Sequence, residues 1–189
     1  SMARPMLADP EFMRKAAAGR EAEINTCIAC NQACLDHTFE MKLTSCLVNP
    51  RACRETELNY LPAKTRKKIA VIGAGPAGMA FACIAAERGH TVTLFEAAPV
   101  IGGQFNLAKR VPGKEEFDET LRYFATRLGL LGVEQRLGVR VSAEDILAEA
   151  FDEVICATGI EPRQPKITGL DHPCVSSYID ILNGTRVAG

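Results

Sequence analysis

Charge of one sign is not in excess: 22 Lys and Arg stand against 23 Asp and Glu, for a net charge of −1. That balance gives no basis for nucleic-acid binding or for a polybasic membrane contact. No run of about 18 apolar residues occurs, so no segment reads as a membrane-spanning helix. No basic start leads into an apolar stretch, so no secretory signal is read and a cytoplasmic setting is expected. Cysteine is too sparse for a disulfide scaffold: 8 of 189 residues, where such scaffolds carry roughly 8–10%. Its distribution is uneven, however. Cys27, Cys30, Cys34, Cys46 and Cys53 fall within 27 residues.

The length allows one domain, or one domain with a small appendage. Asp9-Pro10-Glu11 predicts a helix start, with Asp9 as N-cap and Pro10 at the first helical position, running to Ala18. From Arg20 to Pro62 there is no clean period, and a stretch of that kind rarely packs a core of its own. A basic linker, Lys64 to Lys68, follows. Ile69–Ile72 then reads as a strand buried on both faces. Met79, Ala82, Cys83 and Ala86 recur at helical spacing up to Gly89, and Thr91–Phe95 is a second strand closed by Glu96. Residues 99–113 read as loop. Phe117, Leu121, Phe124 and Leu128 mark an amphipathic helix whose charged start, Lys114 to Glu119, reads as solvated. A loose strand is expected over Val133–Val141, a Ser142-capped helix after it, and a buried strand over Glu153–Ala157. The fold class expected is α/β: a partial Rossmann-like domain on a parallel sheet, preceded by a small cysteine-rich segment.

Gly73-Ala74-Gly75-Pro76-Ala77-Gly78 fits G-x-G-x-x-G. The hexapeptide alone is weak, but here it follows a strand, opens a helix, and has Glu96 18 residues after its last glycine. Gly73 permits a tight turn, Gly75 lets backbone approach a pyrophosphate, and Gly78 lets helix and strand pack. The helix N-terminus favours phosphate. Glu96 can accept ribose hydroxyls and disfavours a 2′-phosphate in this site. Gly102-Gly103-Gln104, Lys114, and the strand end Cys156-Ala157-Thr158-Gly159 favour FAD over NAD as an ordered set. A tight turn without ligand is the bland alternative.

The spacing Cys27-x2-Cys30-x3-Cys34-x11-Cys46 places three thiols close together and one apart. Zinc sites usually pair cysteines two and two. Three plus one suits an iron–sulfur cluster better. Zinc and plain buried thiols stay open at this point. Cys53 reads as a buried or spare cysteine, and Cys83, Cys156 and Cys174 as small apolar residues. His37, His90 and His172 read as structural or solvated.

The stretches 2–10, 27–34, 45–53 and 101–106 together carry a specific likeness. By them the whole chain resembles the C-terminal part of bacterial NADPH-dependent 2,4-dienoyl-CoA reductases, iron–sulfur flavoproteins of the old yellow enzyme and trimethylamine dehydrogenase superfamily. The three-residue gap before Cys34 favours this branch over the amine dehydrogenases. The resemblance implies an electron relay from NADPH through FAD and a [4Fe–4S] cluster to FMN, which reduces 2,4-dienoyl-CoA in fatty-acid β-oxidation. It implies Cys27, Cys30, Cys34 and Cys46 as cluster ligands. It implies FAD contacts at Ala77, Glu96, Gln104, Lys114 and Val141 beside the glycine loop, and Arg4 at the FMN phosphate. It divides the chain into the tail of a TIM barrel (1–19), a cluster segment with linker (20–66), and an incomplete FAD domain (67–189). The partners implied are the barrel and the NADPH-binding domain of the same protein, and the isolated piece is expected to be inactive. Two alternatives are kept: a non-catalytic zinc-plus-nucleotide scaffold, and the same relay in an amine dehydrogenase or another NADH:flavin oxidoreductase.

Overall fold

A computed structural model describes residues 2–187. The termini of the first and last expected spans, residues 1 and 188–189, lie outside the described residues. The chain opens with two short helices, α1 (Ala3–Ala8) and α2 (Phe12–Ala17). The predicted start at Asp9 is therefore displaced. The Asp9 carboxylate, 3% exposed, accepts from the Glu11 N–H (3.0 Å), Lys15 Nζ (2.6 Å) and the Asn25 N–H (2.8 Å). Drawn into that junction, Asp9 leaves Pro10 and Glu11 in a turn, and the helix begins at Phe12.

Residues 18–67 are irregular, as their lack of period suggested. They hold a 3-10 turn (Glu21–Glu23) and a π-helical turn (Gln32–Asp36) that runs into α3 (His37–Phe39). Ile24, Ile28, Ala33 and Ala52 are buried here but belong to neither main core cluster.

The rest is a four-stranded parallel sheet with helices. In order come β1 (Lys68–Ile72), α4 (Pro76–Glu87), β2 (Thr91–Glu96), α5 (Phe105–Ala108), α6 (Phe117–Leu130), β3 (Glu134–Leu137), α7 (Ala143–Ala148), β4 (Glu153–Cys156) and α8 (Tyr178–Asn183). The strand order is β3-β2-β1-β4, with Val71 opposite both Leu94 and Ile155. Strand side chains alternate between faces. Ile69 and Val71 pack with Met79, Ala82 and Leu128 beneath α4 and α6, whereas Ala70 joins Phe95 and Ile146 on the other face. This is the α/β fold with a parallel sheet that the sequence predicts.

Several local expectations change. β4 was expected to be buried, yet Val154 is 43% exposed and Cys156 is exposed. The reason is position: β4 pairs only with β1 and forms an edge of the sheet. β3 is shorter than expected, because Gly138 at φ +72° turns the chain out of the extended conformation. Cys174 is exposed, not part of a core; Cys83 is buried, and burial pushes its thiol up to about 11. Cys53 is exposed, not buried. α5 lies inside the expected 99–113 loop, and α8 has no counterpart in the sequence reading. Ser142 does cap α7 in a full capping box: its Oγ accepts from the Asp145 N–H, and Asp145 Oδ2 accepts from the Ser142 N–H (2.7 Å). Among the described residues no helix is long and apolar enough to cross a membrane.

Candidate functional site

The glycine loop joins β1 to α4, and two of its glycines are required by packing. Gly73 has φ +106°, and a Cβ there would lie 2.3 Å from the Ala157 carbonyl oxygen. A Cβ on Gly78 would lie 1.9 Å from the Gly73 carbonyl oxygen. Gly75 differs: a Cβ there meets nothing within 4 Å. The second glycine thus borders open space, as a ligand cradle requires. α4 starts with Pro76 and has no side-chain cap and no acid in its first turn. Its first N–H groups and its positive dipole end are left for an anion.

Other residues named from sequence converge on this loop. Glu96, at the end of β2, accepts from the Ala74 N–H through Oε2 (2.8 Å) and from the Ala98 N–H through Oε1 (2.9 Å). Each carboxylate oxygen keeps a second lone-pair site for a ribose hydroxyl. Gly102 N–H donates to the Ala74 carbonyl (2.7 Å), and a Cβ on Gly103 would meet Gly75 Cα at 3.3 Å. Gln104 Nε2 donates to the Ile160 carbonyl (2.6 Å), tying the 101–104 turn to the chain beyond β4. Ala157 N–H donates to the Ile72 carbonyl (2.8 Å), and Gly159 follows at φ +77°. Ala77 is exposed on the first turn of α4. Val141 packs beside the Ala70–Phe95–Ile146 cluster. Lys114 is exposed, its ammonium 5.3 Å from the centre of the Phe117 ring. The donors, the open cradle and the acid fit the ADP portion of a dinucleotide.

The four cysteines singled out by spacing line one small pocket. Cys27, Cys30, Cys34 and Cys46 share its wall with Arg4 and Asn31, and all four are half-buried free thiols. The Ser45 N–H donates to the Ala33 carbonyl (2.7 Å) and so brings the distant Cys46 beside the Cys34 turn. Ala29 (φ +53°) and Asn31 (φ +61°) flank Cys30 in the left-handed region. Such conformations cost of order 1–3 kcal/mol each for non-glycine residues and gather at functional sites. The π-helical turn carrying Cys34 is a second irregularity of the kind found at such sites. Burial pushes the Cys46 thiol up, with Cys27 and Cys30 adding to the effect; hydrogen bonds from the Val48 and Asn49 backbone pull it back. Among the described residues no group of three or more His, Cys, Asp or Glu side chains is arranged as a metal-ion site. The four thiols share one pocket, and as a donor set they have the chemistry of iron–sulfur ligands.

Arg4 Nη1 donates to Asn31 Oδ1 (2.5 Å), so the arginine assigned by resemblance to the FMN phosphate stands at the cysteine loop. His37 Nδ1 lies 3.0 Å from the Leu43 carbonyl, and His90 Nδ1 accepts from the Lys67 N–H (3.1 Å). His172 Nδ1 lies 2.9 Å from Cys174 Sγ in an exposed loop. Sequence reasoning missed Arg122. It also took Glu119 for a solvated charge, whereas Glu119 is half-buried and accepts from Arg122 Nε (2.7 Å). Nothing in the period of α6 distinguishes these two from other surface charges.

A parallel sheet with a glycine loop, an acid closing the second strand and an uncapped helix start defines a dinucleotide-binding domain of the FAD/NAD(P) type. Residues 67–186 match the family described as pyridine nucleotide-disulphide oxidoreductase, and the chain belongs to that family. Over its full length the chain is 43% identical to a metal reductase of Desulforamulus reducens, of which it covers 29%. It is 42% identical, over 97% of its length, to 29% of an NADH oxidase of Thermoanaerobacter brockii. The solved structure of a 2-naphthoyl-CoA reductase superposes with a TM-score of 0.93 at 41% identity, covering 98% of this chain and 28% of that one. The chain therefore spans under a third of the length of these relatives.

Proposed function

We propose that the chain is the FAD-binding and iron–sulfur portion of a flavin oxidoreductase that uses NADPH to reduce 2,4-dienoyl-CoA in fatty-acid β-oxidation. When bound, FAD accepts a hydride, a [4Fe–4S] cluster carries single electrons, and FMN delivers them to the substrate. The observation that carries the reading is the pocket of Cys27, Cys30, Cys34 and Cys46, held beside a dinucleotide-binding domain. The glycine loop, the start of α4, Glu96, Gly103 and Gln104 hold FAD, with Lys114, Val141, Ala157 and Gly159 as further contacts. The four cysteines hold the cluster, and Arg4 reaches the FMN phosphate from the barrel end. The barrel and the NADPH-binding domain are supplied by the rest of a longer chain.

Likeness to a reductase of an aromatic acyl-CoA supports a thioester substrate. The metal reductase and NADH oxidase relatives favour a second reading, in which the same relay feeds another terminal acceptor. A zinc scaffold fits the cysteine spacing less well, since zinc sites usually pair cysteines two and two and here three stand together and one apart. The test is anaerobic purification of the intact protein, with analysis of iron, sulfide, zinc and flavin. Turnover of a 2,4-dienoyl-CoA is then compared with NADPH and with NADH. Iron and sulfide with dienoyl-CoA reduction are expected. Zinc without sulfide overturns the relay, and a loaded protein inert toward dienoyl-CoA overturns the substrate.

A further inference from the structure

Where the chain approaches Cys27, the cysteine segment is held to the dinucleotide-binding domain by one guanidinium with five hydrogen bonds. Arg122, on α6, donates through Nη1 to the carbonyls of Ala22 (2.5 Å) and Glu21 (3.3 Å). Through Nη2 it donates to the Ile24 carbonyl (2.9 Å) and to Thr26 Oγ1 (3.1 Å). Its Nε is held by Glu119 Oε2 (2.7 Å), three residues earlier on the same helix. Every donor edge of the guanidinium is used, and four of its acceptors lie about 100 residues away in sequence, ending one residue before Cys27. A planar fork of five donors can make this set; a lysine ammonium cannot.

Elsewhere the segment is tied to the domain at Arg88, which donates through Nε to the Leu61 carbonyl (3.0 Å) and through its own carbonyl accepts from the Ala63 N–H (2.8 Å), about 35 residues after Cys27. A cavity of about 430 Å³ separates Asp9, Asn25 and Arg51 on the segment side from Cys83, Tyr123 and Arg127 on α4 and α6. Arg51 Nε is buried there with no hydrogen-bond partner. Direct packing is interrupted over this cavity, which lies between the segment and the helices α4 and α6.

We propose that Arg122, oriented by Glu119, is a positioning residue. It fixes the chain entering Cys27 against α6 and so sets the separation between the cysteine pocket and the flavin site. The proposal rests on the relay reading above. Displacement of an electron donor from its acceptor slows transfer steeply, while hydride delivery to the flavin is untouched, because Arg122 takes no part in the glycine-loop cradle.

The experiment uses the intact protein with its cofactors, as wild type, Arg122→Ala, Arg122→Lys and Thr26→Val. Stopped-flow mixing with NADPH reads flavin bleaching and cluster reduction separately, and hydrogen–deuterium exchange reads residues 20–30. In Arg122→Ala, flavin reduction is expected to stay within twofold of wild type. Cluster reduction is expected to slow about tenfold or more, with faster exchange across 20–30. Arg122→Lys should restore part of the rate, and Thr26→Val should slow it less than Arg122→Ala does. Wild-type cluster reduction and exchange in Arg122→Ala overturn the proposal. Should Arg122→Ala lose its cluster, Thr26→Val and Arg122→Lys decide in the same way: slowed transfer supports the clamp and wild-type transfer overturns it. A wild-type protein without iron and sulfide defeats the relay reading instead, and exchange across 20–30 then still tests the clamp by itself.

Discussion

The Glu96 carboxylate at the end of β2 accepts a hydrogen bond from the Ala74 N–H, 2.8 Å away in the glycine loop. The acid expected at a ribose is therefore also a brace for the loop expected at the pyrophosphate, with Ala98 N–H holding its other oxygen. Replacing Glu96 by Ala removes both functions. Hydrogen bonds to charged groups contribute about 1.5–3 kcal/mol each, so FAD affinity should fall roughly ten- to a hundredfold. Glu96→Gln should fall between wild type and Ala. Fluorescence titration of the flavin-free protein with FAD measures this, and unchanged affinity in Glu96→Ala removes Glu96 from the site.

Two of the loop glycines, Gly78 and Gly75, should separate by assay. Gly78→Ala places a Cβ against backbone that cannot move away cheaply, 1.9 Å from the Gly73 carbonyl oxygen. Overpacking of this kind costs typically 1–3 kcal/mol or more, so its melting temperature should drop even without flavin. Gly75→Ala meets open space and should melt like wild type while losing FAD affinity. Equal loss of stability in both variants would contradict the cradle.

Cysteine replacement should divide the five thiols between Cys27 and Cys53. Serine at Cys27, Cys30, Cys34 or Cys46 should lower iron and sulfide content sharply in anaerobically purified protein. Serine at Cys53, which is exposed outside the pocket, should leave both at wild-type levels. Full iron in Cys34→Ser, or lost iron in Cys53→Ser, would reassign the ligand set.

Acid stability should follow the carboxylates held below their usual range. The Ser142 backbone N–H, then its hydroxyl, lowers Asp145 from its ordinary 3.8. Arg136, then Thr93, lowers Glu134 from its ordinary 4.5. A lowered folded-state pKa stabilises above the unfolded-state value, and that stability is lost as pH falls through the folded-state value. Melting temperature should thus hold from pH 7 to about 5 and decline below about 4. Both groups are exposed, so the effect is small. Ser142→Ala should cost about 1 kcal/mol at neutral pH and flatten part of the acid limb. A melting temperature that rises on acidification would refute this account.

Much of the site was legible because local rules impose it. The glycine spacing, the acid closing β2 and the Ser142 capping box act over a few residues, and the structure shows each where the sequence placed it. β4 was misjudged because four residues of EVIC cannot say which sheet neighbours they will have. As an edge strand β4 leaves Val154 and Cys156 exposed. Asp9 was misjudged as a helix cap because its third partner, Asn25, is 16 residues away.

What the sequence determined by itself is the chemistry available: a glycine turn before a helix, an acid closing the second strand, and four thiols at cluster-like spacing. Short-range spacing and residue type suffice for those, since each is built within one turn or one strand–helix unit. Only the tertiary structure decided how they stand to one another. Cys46 reaches the other thiols through the Ser45–Ala33 hydrogen bond, and the cysteine segment meets α6 through Arg122. Those contacts join chain segments up to about 100 residues apart, and a long-range pairing is chosen by the packing of the whole chain, not by the residues that make it.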